Sequence, residues 1–390
     1  MIKERYLTAA VSGDLRDKMV FVGGARQVGK TTFATELVAP RFKGSVCFNW
    51  DNRADRRRIA ASAWPGDAEL LIFDEIHKYR KWKTLLKGEY DKLKDRYRFL
   101  VTGSARMDVY RRGGDSLQGR YHYFRLHPFS LAEMLGTGRR LSAGGEIEVG
   151  SVDREAELAD LLRFGGFPEV LFKANMRLLR RWQNEKNERL FREDIRDSEN
   201  IRDLGSMKLL GDLLPDRSSG LLSVQSLCQD VEASHRAVSH WLDVLESFYY
   251  LYRIRPYHRR VLRSLRKEAK LYLWDWSELN DEGKRFENLV ASHLLKLVQF
   301  LHDRDGHKTE LHFLRNQEKK EVDFLVTLDA KPWFAVECKL NDETPWQPLR
   351  YFRDRLEIPF VYQVLRRPHV DRFADGVRIV SAGRFLAGLI

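Results

Sequence analysis

Three kinds of hydrophobic pattern succeed one another along the chain. The first third carries an uninterrupted apolar run after Lys18, an apolar run from Glu69 that ends in Asp74, and a third strand-like segment at Tyr97–Ser104. A run with no polar residue to offer water suits a parallel strand covered on both faces. After Arg125 such runs stop. Leu126–Leu135 opens a helical stretch, the glycine-rich Leu135–Gly150 reads as a loop, and Phe164-Gly-Gly-Phe-Pro168 reads as a tight turn between helices. Leu178–Asp197 predicts a long, Arg-rich helix. Leu221–Asp230 and Ala233–Glu246 have helix–turn–helix proportions, with Ser223 and Ser234 as N-caps. Val238, Leu242 and Leu245 fall on the core face of the second helix, and His235, Arg236, Ser239 and His240 on the other. From Glu282 the pattern is α/β again: an amphipathic helix through Phe286–Leu295, then strand-like runs at Leu311–Arg315, Glu321–Val326 and Trp333–Leu340. The chain is therefore expected to divide at 1–135, 136–215, 216–278 and 279–390.

Composition narrows the class. In 390 residues, 43% hydrophobic and 32% charged side chains describe a globular chain with room for several cores. Met1–Arg5 lacks the apolar core of a signal peptide, and no uncharged stretch is long enough to cross a bilayer, so no membrane partner is expected. Cys47, Cys228 and Cys338 are too few and too scattered for a disulfide framework or a CxxC metal site, which points to a reducing cytoplasm. Lys and Arg outnumber Asp and Glu by 68 to 56, a net +12 that favours a polyanionic partner, nucleic acid first.

The first run leads into Gly24-Ala25-Arg26-Gln27-Val28-Gly29-Lys30-Thr31-Thr32, a full G-x-x-x-x-G-K-[ST] phosphate loop. Its glycines let the backbone curl so that successive N–H groups face phosphate oxygens at a helix N-terminus. Lys30 is placed to reach the β- and γ-phosphates of ATP, and the Thr31 hydroxyl to ligate Mg²⁺. The helix begins near Lys30 and carries Phe33, Leu37 and Val38 toward the sheet. The second run ends in Asp74 and Glu75, candidates for the Mg²⁺ carboxylate and for the general base that deprotonates water. Thr102 or Ser104, closing the third run, is a candidate γ-phosphate sensor, and Arg120 a candidate transition-state arginine for the same or a neighbouring subunit.

Two further constellations suit nucleic acid. Arg253–Lys270 holds eight Lys/Arg with Tyr257 and His258 among them, a basic stripe with rings that fits a phosphate backbone. Near the C-terminus, alternation along each strand puts Glu337 and Lys339 on one face of theirs, and likewise Glu321 and Asp323 on one face of theirs. If those strands are hairpin neighbours, Asp323 and Glu337, with helical Glu287, would bind Mg²⁺ or Mn²⁺, and Lys339 would activate the metal-bound water. That arrangement is the signature of PD-(D/E)xK nucleases.

The whole chain resembles a prokaryotic family of AAA-type P-loop ATPases that end in a domain of unknown function. The resemblance rests on Gly24–Thr32, Leu71–Ile76, Thr102-Gly-Ser, Leu117-Gln-Gly-Arg, Pro128-Phe-Ser, Gly165-Gly-Phe-Pro, Lys270–Asp275, Phe286-Glu287, Glu321-Val-Asp323-Phe and Glu337-Cys-Lys339. It implies an α/β chain built from a parallel-sheet AAA core, a helical lid with a winged-helix middle, and a restriction-endonuclease-like C-terminal domain. It also implies that Lys30, Thr31, Asp74 and Glu75 carry nucleotide chemistry, and it strengthens Arg120. His77 departs from the Gln usual at its position. The expected function is Mg²⁺-dependent ATP hydrolysis coupled to nucleic-acid binding, DNA favoured, with cleavage by the C-terminal domain as one outcome. The alternative is an ATP-controlled DNA switch, or a scaffold for a protein partner, with a catalytically silent nuclease fold. Self-assembly into a homo-oligomer is compatible with either.

Overall fold

The computed structural model describes residues 3–104, 117–136, 142–196, 201, 203–258 and 268–390. It divides into two compact units, Met1–Pro128 with Ser247–Tyr249, and Phe129–Glu246 with Tyr250–Ile390.

In the first unit, β1 (Met19–Gly23), β2 (Ser45–Asn49), β3 (Leu70–Asp74), β4 (Arg98–Gly103) and β5 (Tyr121–Arg125) form a parallel five-stranded sheet in the order β2-β3-β4-β1-β5. Every residue of β1 and of β3 is buried, which is why their sequences carry no alternation. Helices α1 (Thr8–Asp14), α2 (Lys30–Thr32), α3 (Arg53–Ala60) and α4 (Trp82–Leu93) accompany the sheet. Phe21, Phe48, Phe73, Phe99, Trp82 and Leu86 are buried in one cluster. The helix after the phosphate loop departs from expectation, because α2 widens into a π-helical turn over Phe33–Val38. Phe33 and Val38, five residues apart, share the buried side as an i→i+5 turn allows, whereas Leu37 is only half-buried.

The order and register of this sheet position the functional side chains. Asn49 lies opposite Asp74, and Asp74 opposite Thr102, at the C-terminal ends of β2, β3 and β4. Gly23 ends β1 beside Gly103. The phosphate loop and the Asp74 carboxylate therefore emerge on the same edge, where open α/β sheets bind ligands.

The second unit begins with helices α5 (Leu131–Leu135), α6 (Glu155–Phe164), α7 (Pro168–Lys173) and α8 (Met176–Arg189), the last continued by a π-helical turn over Leu190–Ile195. Helix α9 spans Leu204–Arg217, α10 Val224–Asp230 and α11 His235–Ser247. Ser223 accepts from the Ser226 N–H and Ser234 from the Ala237 N–H, so both expected caps are in place. On α11, Val238, Leu242 and Leu245 are buried while His235, Arg236 and His240 are exposed; Ser239 is half-buried.

Eight strands complete the unit: β6 (Leu251–Pro256), β7 (Lys270–Leu273), β8 (Thr309–Arg315), β9 (Glu321–Leu328), β10 (Lys331–Lys339), β11 (Phe360–Leu365), β12 (Asp371–Ala374) and β13 (Val377–Ser381). They form one mixed sheet in the order β12-β13-β11-β10-β9-β8-β6-β7. Helices α12 (Glu282–Asp305) and α13 (Gln347–Leu356) pack on it. Arg255 and Pro256 of β6 pair with His312 and Phe313 of β8, so the antiparallel β6–β7 hairpin extends the C-terminal sheet. Residues 259–267 of the basic stretch lie outside the described residues. Among those described, no helix is long and apolar enough to cross a membrane.

Candidate functional site

The phosphate loop has the backbone its sequence requires. Gly29 sits at φ 97°, a left-handed conformation that favours glycine. A Cβ on Gly24 would stand 2.5 Å from the Leu126 carbonyl oxygen. Ala25 and Val28 are buried, and Gln27 takes φ 63°. Lys30 Nζ donates to the carbonyls of Gly24 (3.0 Å) and Ala25 (2.9 Å), which holds it across the mouth of the loop. Arg5 is a residue the motif did not reveal. It is buried and donates to the Val28 carbonyl at 3.2 Å and to the His127 carbonyl, bracing the loop from a segment with no signature of its own.

Asp74 is held entirely by neutral donors among its hydrogen bonds. Its Oδ2 accepts from the Thr31 hydroxyl at 2.9 Å and the Asn49 amide at 3.3 Å, and its Oδ1 from the Thr102 hydroxyl at 2.5 Å. Thr102 therefore serves Asp74 directly. Glu75, next in the chain, adopts φ 57° and donates its N–H to the Thr102 carbonyl at 2.9 Å. Its carboxylate accepts from the Ser104 hydroxyl at 3.2 Å and lies 3.8 Å from His77 Nε2 and 3.5 Å from Lys78 Nζ. Burial alone would push the Glu75 carboxyl up, but His77, Lys30 and Lys78 outweigh it and hold it below the ordinary value. Glu75 is thus an ionised base at neutral pH, and His77 has a place facing it. A cradle of backbone N–H groups, a lysine across it, and a hydroxyl paired with a carboxylate fit a nucleotide with Mg²⁺: Lys30 would take the phosphates, and Thr31 and Asp74 the ion.

Arg120 is not brought to this edge. It precedes β5, where Tyr121 lies opposite Met19, the first residue of β1. Four residues of strand, roughly 13 Å, separate that end from Gly23. Its guanidinium is paired with Asp91 at 2.7 and 3.0 Å. The expectation that Arg120 could serve the phosphate loop of its own subunit is corrected by this placement.

In the second unit the expected convergence occurs, with an addition. The Asp323 N–H donates to Glu337 Oε2 at 3.2 Å, and Asp323 Oδ2 accepts from the Cys338 N–H at 2.9 Å, so β9 and β10 do meet as a hairpin. Lys339 Nζ lies 2.7 Å from Glu337 Oε1 and 3.8 Å from the Trp346 ring centre. Glu287 on α12 accepts from the Tyr272 hydroxyl at 2.7 Å. Lys270, the first residue of β7, places Nζ 2.7 Å from Glu321, 3.5 Å from Asp323 and 3.6 Å from Glu287. Burial, reinforced by Asp323, pushes the Glu287 carboxyl up to about 8. Burial and then Asp323 raise Glu337 as well.

The metal set Glu287, Asp323 and Glu337 is corrected here. Among the described residues no group of three or more His, Cys, Asp or Glu side chains is arranged to hold a metal ion. A buried ammonium stands among the carboxylates instead, and the Glu337 oxygens face Lys339 and a backbone N–H. The residues present do not fit a divalent ion, and the water activation expected of Lys339 loses its metal. In sequence, Lys270 stood out only as the end of the basic Arg253–Lys270 stretch and the start of Lys270–Asp275. Nothing in its local sequence announced a partner in a strand fifty-three residues on.

Residues 16–135 match the family described as an AAA domain, and they form an AAA-type P-loop core. Residues 155–281 and 282–385 match two domains of unknown function, DUF8612 and DUF4143. Over 370 residues the chain is 21% identical to the uncharacterized protein MJ1544 of Methanocaldococcus jannaschii, covering 87% of this chain and 79% of that one. It is 22% identical over 357 residues to an uncharacterized protein of Haemophilus influenzae, covering 83% of each. Among solved structures, the Thermotoga maritima RuvB Holliday junction branch migration motor is similar at TM-score 0.32 and 19% identity, covering 63% of this chain and 87% of that one.

Proposed function

We propose that this chain is a Mg²⁺-dependent ATPase whose nucleotide state controls binding to nucleic acid, DNA favoured, through its second unit. The observation that carries the first part is the line Thr31–Asp74–Thr102 at one edge of the sheet, with ionised Glu75 next to it. In this reading Gly24–Thr32 cradles the phosphates, Lys30 leaves the loop carbonyls for the β- and γ-oxygens, and Thr31 and Asp74 hold the ion. When bound, Mg²⁺ supplies neutralisation of the charge on those oxygens. Glu75, steered by Ser104 and His77, takes a proton from the attacking water. The test is phosphate release by the purified chain. Activity that survives both Lys30→Ala and Glu75→Gln would refute the assignment.

The nucleic-acid part rests on the +12 charge and on the exposed His235, Arg236 and His240 of α11. We read α10, α11 and the β6–β7 hairpin as a winged-helix module, and residues 136–215 as a lid. The position of Lys270 favours a C-terminal fold that grips without cutting over one that cleaves. Salt titration of DNA affinity with ATP and with ADP decides the point. A counterion-release slope that differs between the two nucleotides supports the switch. Absence of any salt-dependent affinity leaves a protein partner as the ligand. An Arg120 supplied in trans would require a homo-oligomer.

A further inference from the structure

The cation at the centre of the carboxylate pocket is part of the chain itself. Lys270 is 3% exposed, and its ammonium touches carboxylates from two elements: Glu287 on α12, and Glu321 and Asp323 on β9. A buried ammonium without such partners would be costly, so its burial and the carboxylate cluster explain each other. Acceptors on the two strands are also engaged. Asp323 Oδ2 takes the Cys338 N–H, Glu337 takes the Asp323 N–H and Lys339, and Glu321 Oε2 takes Arg315 at 2.5 Å. A divalent ion needs several carboxylate or water oxygens at about 2.0–2.6 Å, and the Glu321, Asp323 and Glu337 oxygens face nitrogen donors instead, while Glu287 also takes the Tyr272 hydroxyl.

We propose that Lys270 is the resident cation of this pocket, standing where a divalent ion would otherwise bind and keeping Mg²⁺ and Mn²⁺ out. It follows that the pocket is a latent metal site, closed by one side chain. The ammonium is a compact point charge, so it can draw the Glu321 and Asp323 carboxylates and the Glu287 carboxyl around it as an ion would, yet it carries no exchangeable water for attack on a phosphodiester. The inference rests on the non-cleaving reading of the C-terminal fold, but it concerns ion binding and is tested without any nucleic acid or nucleotide.

The experiment titrates Mn²⁺ into the full chain, nucleotide-free, and follows the loss of the free-ion paramagnetic resonance signal. Wild type and Lys270→Arg are expected to show no loss of signal that depends on Asp323. Lys270→Gln is expected to gain one bound Mn²⁺ per chain, and the double variant Lys270→Gln with Asp323→Asn to lose it. The melting temperature of Lys270→Gln should rise with Mn²⁺ and that of wild type should not. Mn²⁺ bound by wild type and abolished by Asp323→Asn overturns the proposal. So does a Lys270→Gln chain that is folded by circular dichroism and binds none. If Lys270→Gln does not fold with or without Mn²⁺, the wild-type and Asp323→Asn arm decides alone, since it needs no change at Lys270. Loss of DNA affinity would leave this result untouched, so the two readings fail separately.

Discussion

Two carboxylate sites in this chain look alike in sequence and differ in their neighbours. Asp74 in the first unit accepts from two hydroxyls and an amide, donors that orient a carboxylate without cancelling its charge. Asp323 and Glu321 in the second unit face the ammonium of Lys270, and Glu337 faces that of Lys339. The first site keeps a negative charge available for an incoming cation. The second is already neutralised from within. An acidic cluster therefore predicts a metal only when the groups that hold it are uncharged.

The comparison yields a graded set of tests. The largest effect is expected from Glu75→Gln, which removes the base and should lower the ATP hydrolysis rate about 100- to 10,000-fold while fluorescent-nucleotide binding persists. An unchanged rate would show that the charge balance around Glu75 has no catalytic role. Next, Lys270→Met leaves buried carboxylates without their cation and should cost about 3–5 kcal/mol of stability in a urea titration without metal. A near-neutral result would mean that the second pocket, like the first, tolerates an open charge.

A pH test separates the units. His293 is buried, donates Nδ1–H to the Leu289 carbonyl at 2.8 Å and accepts the Leu131 N–H on Nε2 at 3.0 Å, so it must be neutral in the fold. Burial lowers it from 6.5 to about 4. Its contribution is complete above pH 6.5 and is lost as pH falls toward 4, because the unfolded chain takes the proton first. The second unit should lose about 3 kcal/mol across that window, and His293→Gln should flatten the dependence. Thr102→Val, which removes one neutral donor from Asp74, should cost about 1.5–3 kcal/mol and weaken Mg²⁺-nucleotide binding. Smallest of all is Arg120→Ala. Paired with Asp91 at the far end of the sheet, it should leave dilute-chain ATPase activity unchanged. A loss that appears only as chain concentration rises would place Arg120 at a neighbouring subunit.

Legibility followed the distance along the chain over which each feature is specified. The strands β1, β3 and β4, the loop they surround, and the caps of α10 and α11 were readable because each depends on contiguous residues. The β9–β10 hairpin was readable too, since alternation sets the face of Asp323 and Glu337 and a short connection pairs the strands. Asn49, Arg5 and Lys270 were not. Asn49 matters only through the β2–β3 register, Arg5 through an approach to Val28, and Lys270 through a sheet that runs β9-β8-β6-β7.

Sequence alone determined that this chain carries a phosphate loop followed by a buried strand ending in Asp74 and Glu75, because backbone curvature and strand burial are local properties of those residues. It also determined which acidic side chains of the C-terminal segment would share a face. Only the tertiary structure decided what sits between those side chains. Strand order delivers Lys270 into the pocket, and the charge state of a carboxylate cluster is set by whichever group arrives there, however far along the chain it began.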